Sequence, residues 1–333
     1  MKAIQIEQPN HIALIDIPWP EPGPGDVLIQ VMASGICGTD LHIVRGEYMG
    51  GYPLIPGHEF AGVVTEVGAE VTRFKAGDRV AVEPNIACGN CDQCLQNRQN
   101  FCRHWEAIGV TRPGGMAQYV VAPEPAVFDI GALPFAVGAF MEPLSCVLHG
   151  VEKARVQLAD RVAILGAGPI GLLLMQVVRA RGAAEITIVE KNPARAAFAE
   201  TFGADHCYRE LDALPADAYD VVVDATGVIP VMARAIEFAR RGGAVLLFGV
   251  PPAGEPMTWT PFQLFQKGLT VVSSFTSVRN SFQAVAMLRS RQVEVEPLVS
   301  HRLPLAEFEK GVRLIAAGAE EVKKVLIFPH AES

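Results

Sequence analysis

The chain has 333 residues, half of them apolar and 19% charged. It is too long for one ordinary core and too apolar for a disordered chain, so two compact domains are expected. A net charge of −8 argues against a nucleic-acid groove or an anionic membrane surface as partner.

Residues 2–6, 11–16 and 26–34 alternate apolar and polar positions and are rich in β-branched side chains, so they read as short strands. The first of these occupies the N-terminus, where no signal-peptide core is present, and cytoplasmic residence is the default expectation. The run Pro18-Trp-Pro-Glu-Pro-Gly-Pro-Gly25 between two strands reads as a rigid loop. Residues 59–67, 78–84 and 117–122 continue the strand-and-turn pattern, which predicts a mainly β, barrel-like first domain.

Inside this domain Cys88, Cys91, Cys94 and Cys102 are spaced C-x2-C-x2-C-x7-C. Four crowded thiols suit a closed tetrahedral zinc site that staples a loop with little apolar content. An iron–sulfur cluster is the rival, but the long last spacing, with no proline after Cys102, disfavours it. A second set is scattered. Cys37 and His42 lie near a turn of small residues, His58 and Glu59 open a strand, and Glu142 interrupts an apolar stretch. One Cys, one His and one or two Glu would make an open zinc site, but spacing leaves a buried cysteine and surface carboxylates as an equal alternative.

From about residue 148 the pattern becomes strand, helix, strand. Residues 162–165 form an apolar run ending in Gly166, Gly168 and Gly171, the G-x-G-x-x-G spacing, and a helix is predicted from Pro169 to Gly182. Gly166 permits a tight turn, Gly168 lets backbone approach a pyrophosphate, and Gly171 lets helix and strand pack closely. Pro169 and Ile170 open the helix, whose N–H groups and dipole favour phosphate. The charge-free run 162–178 is rejected as a membrane span, being short and rich in glycine. A second strand, 185–190, ends in Glu190, 19 residues after Gly171, where an acid that binds a ribose belongs. An ordinary strand–helix–strand unit with incidental glycines is the alternative, and the combined context favours a dinucleotide site.

Asn192 and Pro193 start a helix that Gly203 closes. A strand running into a turn over 219–227 and strands at 242–250 and 269–275 follow, the first two joined by a helix over 230–241. Right-handed crossovers make this an α/β, doubly wound parallel sheet with its ligand crevice at the carboxyl ends of the strands. After residue 280 a helix over 282–291 and a strand at 324–328 should return to the first domain. The expected domains are thus 1–147 with 279–333, and 148–278. Cys146, His149, His206 and Cys207 are assigned to packing or the rim.

Taken in order, Gly35-Ile-Cys-Gly-Thr-Asp40, Gly57-His-Glu59, the four-cysteine loop, Gly114-Gly115 and the glycine motif resemble the zinc-dependent medium-chain alcohol dehydrogenases over essentially the whole chain. Glu142-Pro-Leu is most similar to the sorbitol (polyol) branch. The resemblance implies a Rossmann sheet plus a GroES-like barrel, with hydride transfer from a secondary alcohol to NAD. It implies two zinc ions per chain. Cys37, His58 and Glu59 would hold the catalytic one, with Glu142 ligating directly or through water, and the four cysteines would hold the structural one. It further implies that Val250, Ser273 and Phe275 line the nicotinamide, and that the protein is a homo-oligomer, a tetramer or dimer. Thr39 and His42 are candidates for a proton relay. Glu190 predicts NAD over NADP, with Lys191 and Arg195 softening its repulsion of a 2′-phosphate. The residues at 37–42 and 111–115 are also similar to threonine 3-dehydrogenases, so a threonine-type or sugar-phosphate dehydrogenase stays open. A non-catalytic redox sensor is the remote alternative.

Overall fold

The computed structural model describes residues 1–318 and 322–331. Residues 319–321 and 332–333, within the expected 279–333 segment, lie outside the described residues. Two compact units form, Met1–Ser145 with Val278–Ser333, and Cys146–Ser277.

The first unit is built on a branching sheet in the order Val299–Pro304, Lys324–Phe328, Asp26–Gly35, Glu59–Val67, Arg79–Val82, Val127–Asp129. Asp26–Gly35 is its spine. It runs antiparallel to Glu59–Val67 along nearly its whole length, to Tyr119–Pro123 over Asp26–Gln30, and to Lys324–Phe328 at Ser34 and Gly35. Register breaks at Leu28/Ile29 and Val31/Ala33 bend the strand, as bulges do, and so let it serve three partners. Val27, Ile29, Val31, Phe60, Val64 and Val120 fill one core, and Ile36, Met116, Phe308 and Val325 belong to a second. A separate pairing of Asn85–Ile86 with Glu106–Ala107 pins the base of the cysteine loop.

The second unit holds six parallel strands in the order His206–Tyr208, Glu185–Val189, Arg161–Leu165, Tyr219–Asp224, Ala239–Leu247, Thr270–Ser273. The order reverses at Arg161–Leu165, which creates a switch point at the carboxyl ends of the strands. Its connecting helices Pro169–Ala180, Pro193–Phe202, Ile229–Phe238 and Pro261–Lys267 all carry proline in the first turn, where no N–H is needed. Asn192 caps the second of these, its side chain accepting from the N–H groups of Ala194 and Arg195. The charge-free run 162–178 is most of the strand Arg161–Leu165, the glycine turn and most of the helix Pro169–Ala180. No helix among the described residues is long and apolar enough to cross a membrane.

One element ends earlier than its sequence suggests. The helix expected over 230–241 stops at Phe238, and Ala239 already pairs with Tyr219. Two interactions stop it. Lys267 Nζ donates to the carbonyls of Ile236, Glu237 and Ala239, satisfying groups that a longer helix would have used internally. Arg240 meanwhile pairs with Asp220 on the neighbouring strand.

Candidate metal centre and dinucleotide site

The first unit gathers two donor sets. Cys88, Cys91, Cys94 and Cys102 place their ligand atoms within 4.8 Å of one another. Sulfur separations are 3.5 Å for Cys91–Cys94 and 4.0 Å for both Cys88–Cys94 and Cys91–Cys102. Tetrahedral zinc with bonds of ~2.3 Å sets its sulfurs ~3.8 Å apart, so the geometry fits one ion, whereas a disulfide needs contact near ~2.05 Å. The thiols differ in character. Cys91 is lowered to about 6 by N–H donors from Arg103 and Cys94, while burial pushes Cys94 up to about 12. Backbone N–H groups of Cys88 and His104 also point at the Cys102 sulfur, 3.3 Å away. Such donors stabilise thiolates, the form that binds metal.

The second set is Cys37, His58 and Glu59, again with ligand atoms within 4.8 Å of one another. Two strand ends and a helix start bring them together. Gly35, at the end of its strand, lies opposite Glu59. Cys37 caps the helix Gly38–Arg45, its N–H donating to Asp40 Oδ2 at 2.8 Å. His58 and Glu59 are 5% and 1% exposed, yet His58 Nδ1 and Glu59 Oε1 lack a hydrogen-bond partner, and Glu59 Oε2 meets only the Lys324 ammonium. Buried polar atoms are seldom left so, and a divalent cation is the ligand this donor set suits. Glu142 is buried in the first turn of the helix Met141–Ala154 but lies outside the group of three.

Two charged neighbours complete the electrostatics. Asp40 is fully buried, with Oδ1 3.6 Å from His58 Nδ1. Burial alone would lower the His58 pKa, but Asp40 and Cys37 more than offset it, so the metal-free imidazole holds its proton well above the ordinary range. Lys324 forms an ion pair with Glu59 Oε2. Burial opposes the Lys324 charge, yet Glu59 and then Cys37 hold it above the usual lysine value. Thr39 sits half-buried in the same short helix, and His42 Nδ1 lies 3.0 Å from Glu47 Oε2.

The second unit presents the glycine turn at its switch point. Gly166 has φ +105°, and a Cβ at Gly171 would collide with the Gly166 carbonyl oxygen. A Cβ at Gly168 would meet nothing within 4 Å, so open space faces the start of the helix, as an approaching pyrophosphate requires. Glu190 is buried. Its Oε2 accepts from the Ala167 N–H at 2.9 Å, and its Oε1 accepts from Asn192 at 2.8 Å and lies 3.5 Å from Arg195 Nη2. Asp224 accepts from the Thr226 hydroxyl and from the N–H groups of Thr226 and Gly227, which fixes the loop beyond its strand. Val250 and Ser273 are exposed and Phe275 is half-buried near the carboxyl ends of their strands.

Family models match two parts of the chain: the alcohol dehydrogenase GroES-like domain over residues 23–132 and zinc-binding dehydrogenase over 169–290. The D-altritol 5-dehydrogenase of Agrobacterium fabrum is 39% identical over 92% of this chain and 94% of its own length. D-arabinitol dehydrogenase 1 of Uromyces fabae is 32% identical over 99% and 97%. The crystal structure of a zinc-binding dehydrogenase from Sinorhizobium meliloti 1021 bound to NADP superimposes with a TM-score of 0.95 at 36% identity, covering 98% of this chain and 99% of that one. The chain belongs to the zinc-dependent alcohol dehydrogenase family.

As a zinc-binding dehydrogenase it has the expected architecture, a GroES-like unit and a Rossmann-like parallel sheet. The structure brings together Cys37, His58 and Glu59, and separately the four cysteines, while Glu142 belongs to neither group. Sequence reasoning missed Asp40 and Lys324. Asp40 looks like an ordinary acid in a helix first turn. Lys324 is the second of two adjacent lysines and opens its strand, far in sequence from its partner. Only the pairing of the last strand with Gly35 could have revealed it.

Proposed function

We propose that this dehydrogenase oxidises a secondary alcohol of a polyol or sugar-like substrate and delivers the hydride to NAD, using one zinc at Cys37, His58 and Glu59 and a second at the four cysteines. The reading rests above all on the buried His58 and Glu59, whose ligand atoms converge on the Cys37 sulfur and whose Glu59 Oε1 is left without a partner. Zinc held there would supply Lewis acidity to a hydroxyl oxygen, and NAD in the second unit would supply the hydride acceptor. The residues do the rest. Asp40 orients His58, Thr39 takes the hydroxyl proton, and His42 passes it toward exposed Glu47. Glu142, buried in the first turn of the helix Met141–Ala154, would serve the ion at Cys37, His58 and Glu59 directly or through water. Gly168 and the helix N-terminus receive the pyrophosphate, Glu190 the adenosine ribose, and Val250, Ser273 and Phe275 the nicotinamide.

Polyol chemistry is favoured because the altritol and arabinitol enzymes match nearly the whole chain. We assign the enzyme to the cytoplasm, where thiols stay reduced, as a homo-oligomer, a tetramer or dimer. A panel of polyols, sugar acids, threonine and simple secondary alcohols, read by nicotinamide absorbance, tests the activity. Turnover of a polyol is expected, and no turnover of any alcohol by zinc-replete protein would defeat the proposal. NADP is a second reading for the cofactor. Glu190 already accepts from two backbone N–H groups, and Arg195 stands beside it. The carboxylate still disfavours a 2′-phosphate, so kcat/KM should favour NAD, and equal values would overturn that preference.

A further inference from the structure

Glu59 faces two cation sites at once, the metal-ligand group on one side and the Lys324 ammonium on the other. Both members of the pair are almost wholly buried, at 1% and 5% exposure. Three strands assemble them. Gly35 is opposite Glu59 on one neighbour and opposite Leu326 on the other. Lys324, two residues before Leu326, therefore projects from the same face of its strand, across the glycine. A Cβ at Gly35 would collide with Glu59 Oε2 and approach Lys324 Cε to 2.8 Å. The bare glycine is the slot in which the two side chains meet.

A buried ion pair is no better for stability than apolar residues of the same volume, so packing alone does not account for this one. The ligand set suggests a role. A carboxylate can grip zinc through one oxygen or two. With Oε2 engaged by the ammonium, Glu59 has one oxygen left. Three single-atom donors plus an open position make a catalytic zinc site, and a two-oxygen grip would fill that position.

We propose that Lys324 is a positioning residue that restricts Glu59 to a one-oxygen contact with the metal and so keeps a coordination position free for the substrate. The inference depends on the metal reading given under Proposed function. It is tested by loading the whole enzyme with cobalt(II), whose visible d–d absorption weakens and shifts as a fifth ligand is added. The four-cysteine site contributes equally to every variant and cancels in difference spectra. Lys324→Met should retain its cobalt and show the weaker, shifted bands, while Lys324→Arg restores the wild-type spectrum. Gly35→Ala, which forces the pair apart without removing a charge, should reproduce the methionine spectrum and carries the test if Lys324→Met does not fold. An unchanged spectrum with full metal overturns the proposal. So does loss of cobalt from this site, which would make Lys324 a determinant of binding rather than of coordination. Wild-type protein that takes up cobalt only at the four cysteines would sink the metal reading itself, a separate result.

Discussion

His58 carries the sharpest electrostatic consequence. Its metal-free imidazole keeps a proton well above the ordinary range because Asp40 and Cys37 outweigh burial. A divalent ion must displace that proton, so apparent metal affinity should rise with pH, and uptake near neutrality should release a proton. Calorimetry in two buffers of different ionisation enthalpy reads this directly, and heats independent of the buffer would contradict it. The linkage also has a sign for the apo protein. A raised folded pKa gives stability that is complete below the unfolded value of ~6.5 and is lost as pH climbs through the folded one. Asp40→Asn should weaken metal binding by roughly 10- to 100-fold, the range usual for partners of a ligating histidine. Competition with a chromogenic chelator measures it.

Among the elements, the strand–turn–helix around Gly166 is the least tolerant of change. Gly171→Ala would drive a methyl into the Gly166 carbonyl, displacing the turn on which the phosphates are to rest. Nicotinamide-cofactor binding, followed by fluorescence titration, should weaken at least tenfold, with a lower melting temperature, and a wild-type dissociation constant would count against the assigned site. Lys267→Met offers a purely structural contrast. It strips three carbonyls at the end of Ile229–Phe238 of their donor and should cost about 1–3 kcal/mol in denaturant unfolding. The contrast marks what a sequence can disclose. The glycine turn is legible because its spacing is local and its chemistry needs that spacing. The end of the helix at Phe238 is not, because the lysine that terminates it sits on another helix. Likewise Cys37, His58 and Glu59 were readable as candidates from short motifs, whereas Asp40 and Lys324 acquire meaning only when strands pair.

At the scale of the molecule, the donor sets predict two metal ions per chain, to be counted by elemental analysis. The cysteine loop has little core of its own, with Leu95 and Phe101 exposed at 73% and 50%. Cys91→Ser should therefore lose one ion of two and make the loop a site of early proteolysis, while the cobalt signal from Cys37, His58 and Glu59 persists. Loss of both ions would couple two sites that the proposal treats as independent.

The sheet of the first unit has a further consequence, for biosynthesis. Asp26–Gly35 emerges from the ribosome before residues 36–323 are made, yet one of its partners, Lys324–Phe328, follows them all. Cys146–Ser277 is one uninterrupted run and can fold meanwhile. The parallel-sheet unit can thus be finished before the unit that carries the two donor sets is closed. An ion captured before the strand Lys324–Phe328 pairs would meet Cys37, His58 and Glu59 without the lysine that shares the glutamate.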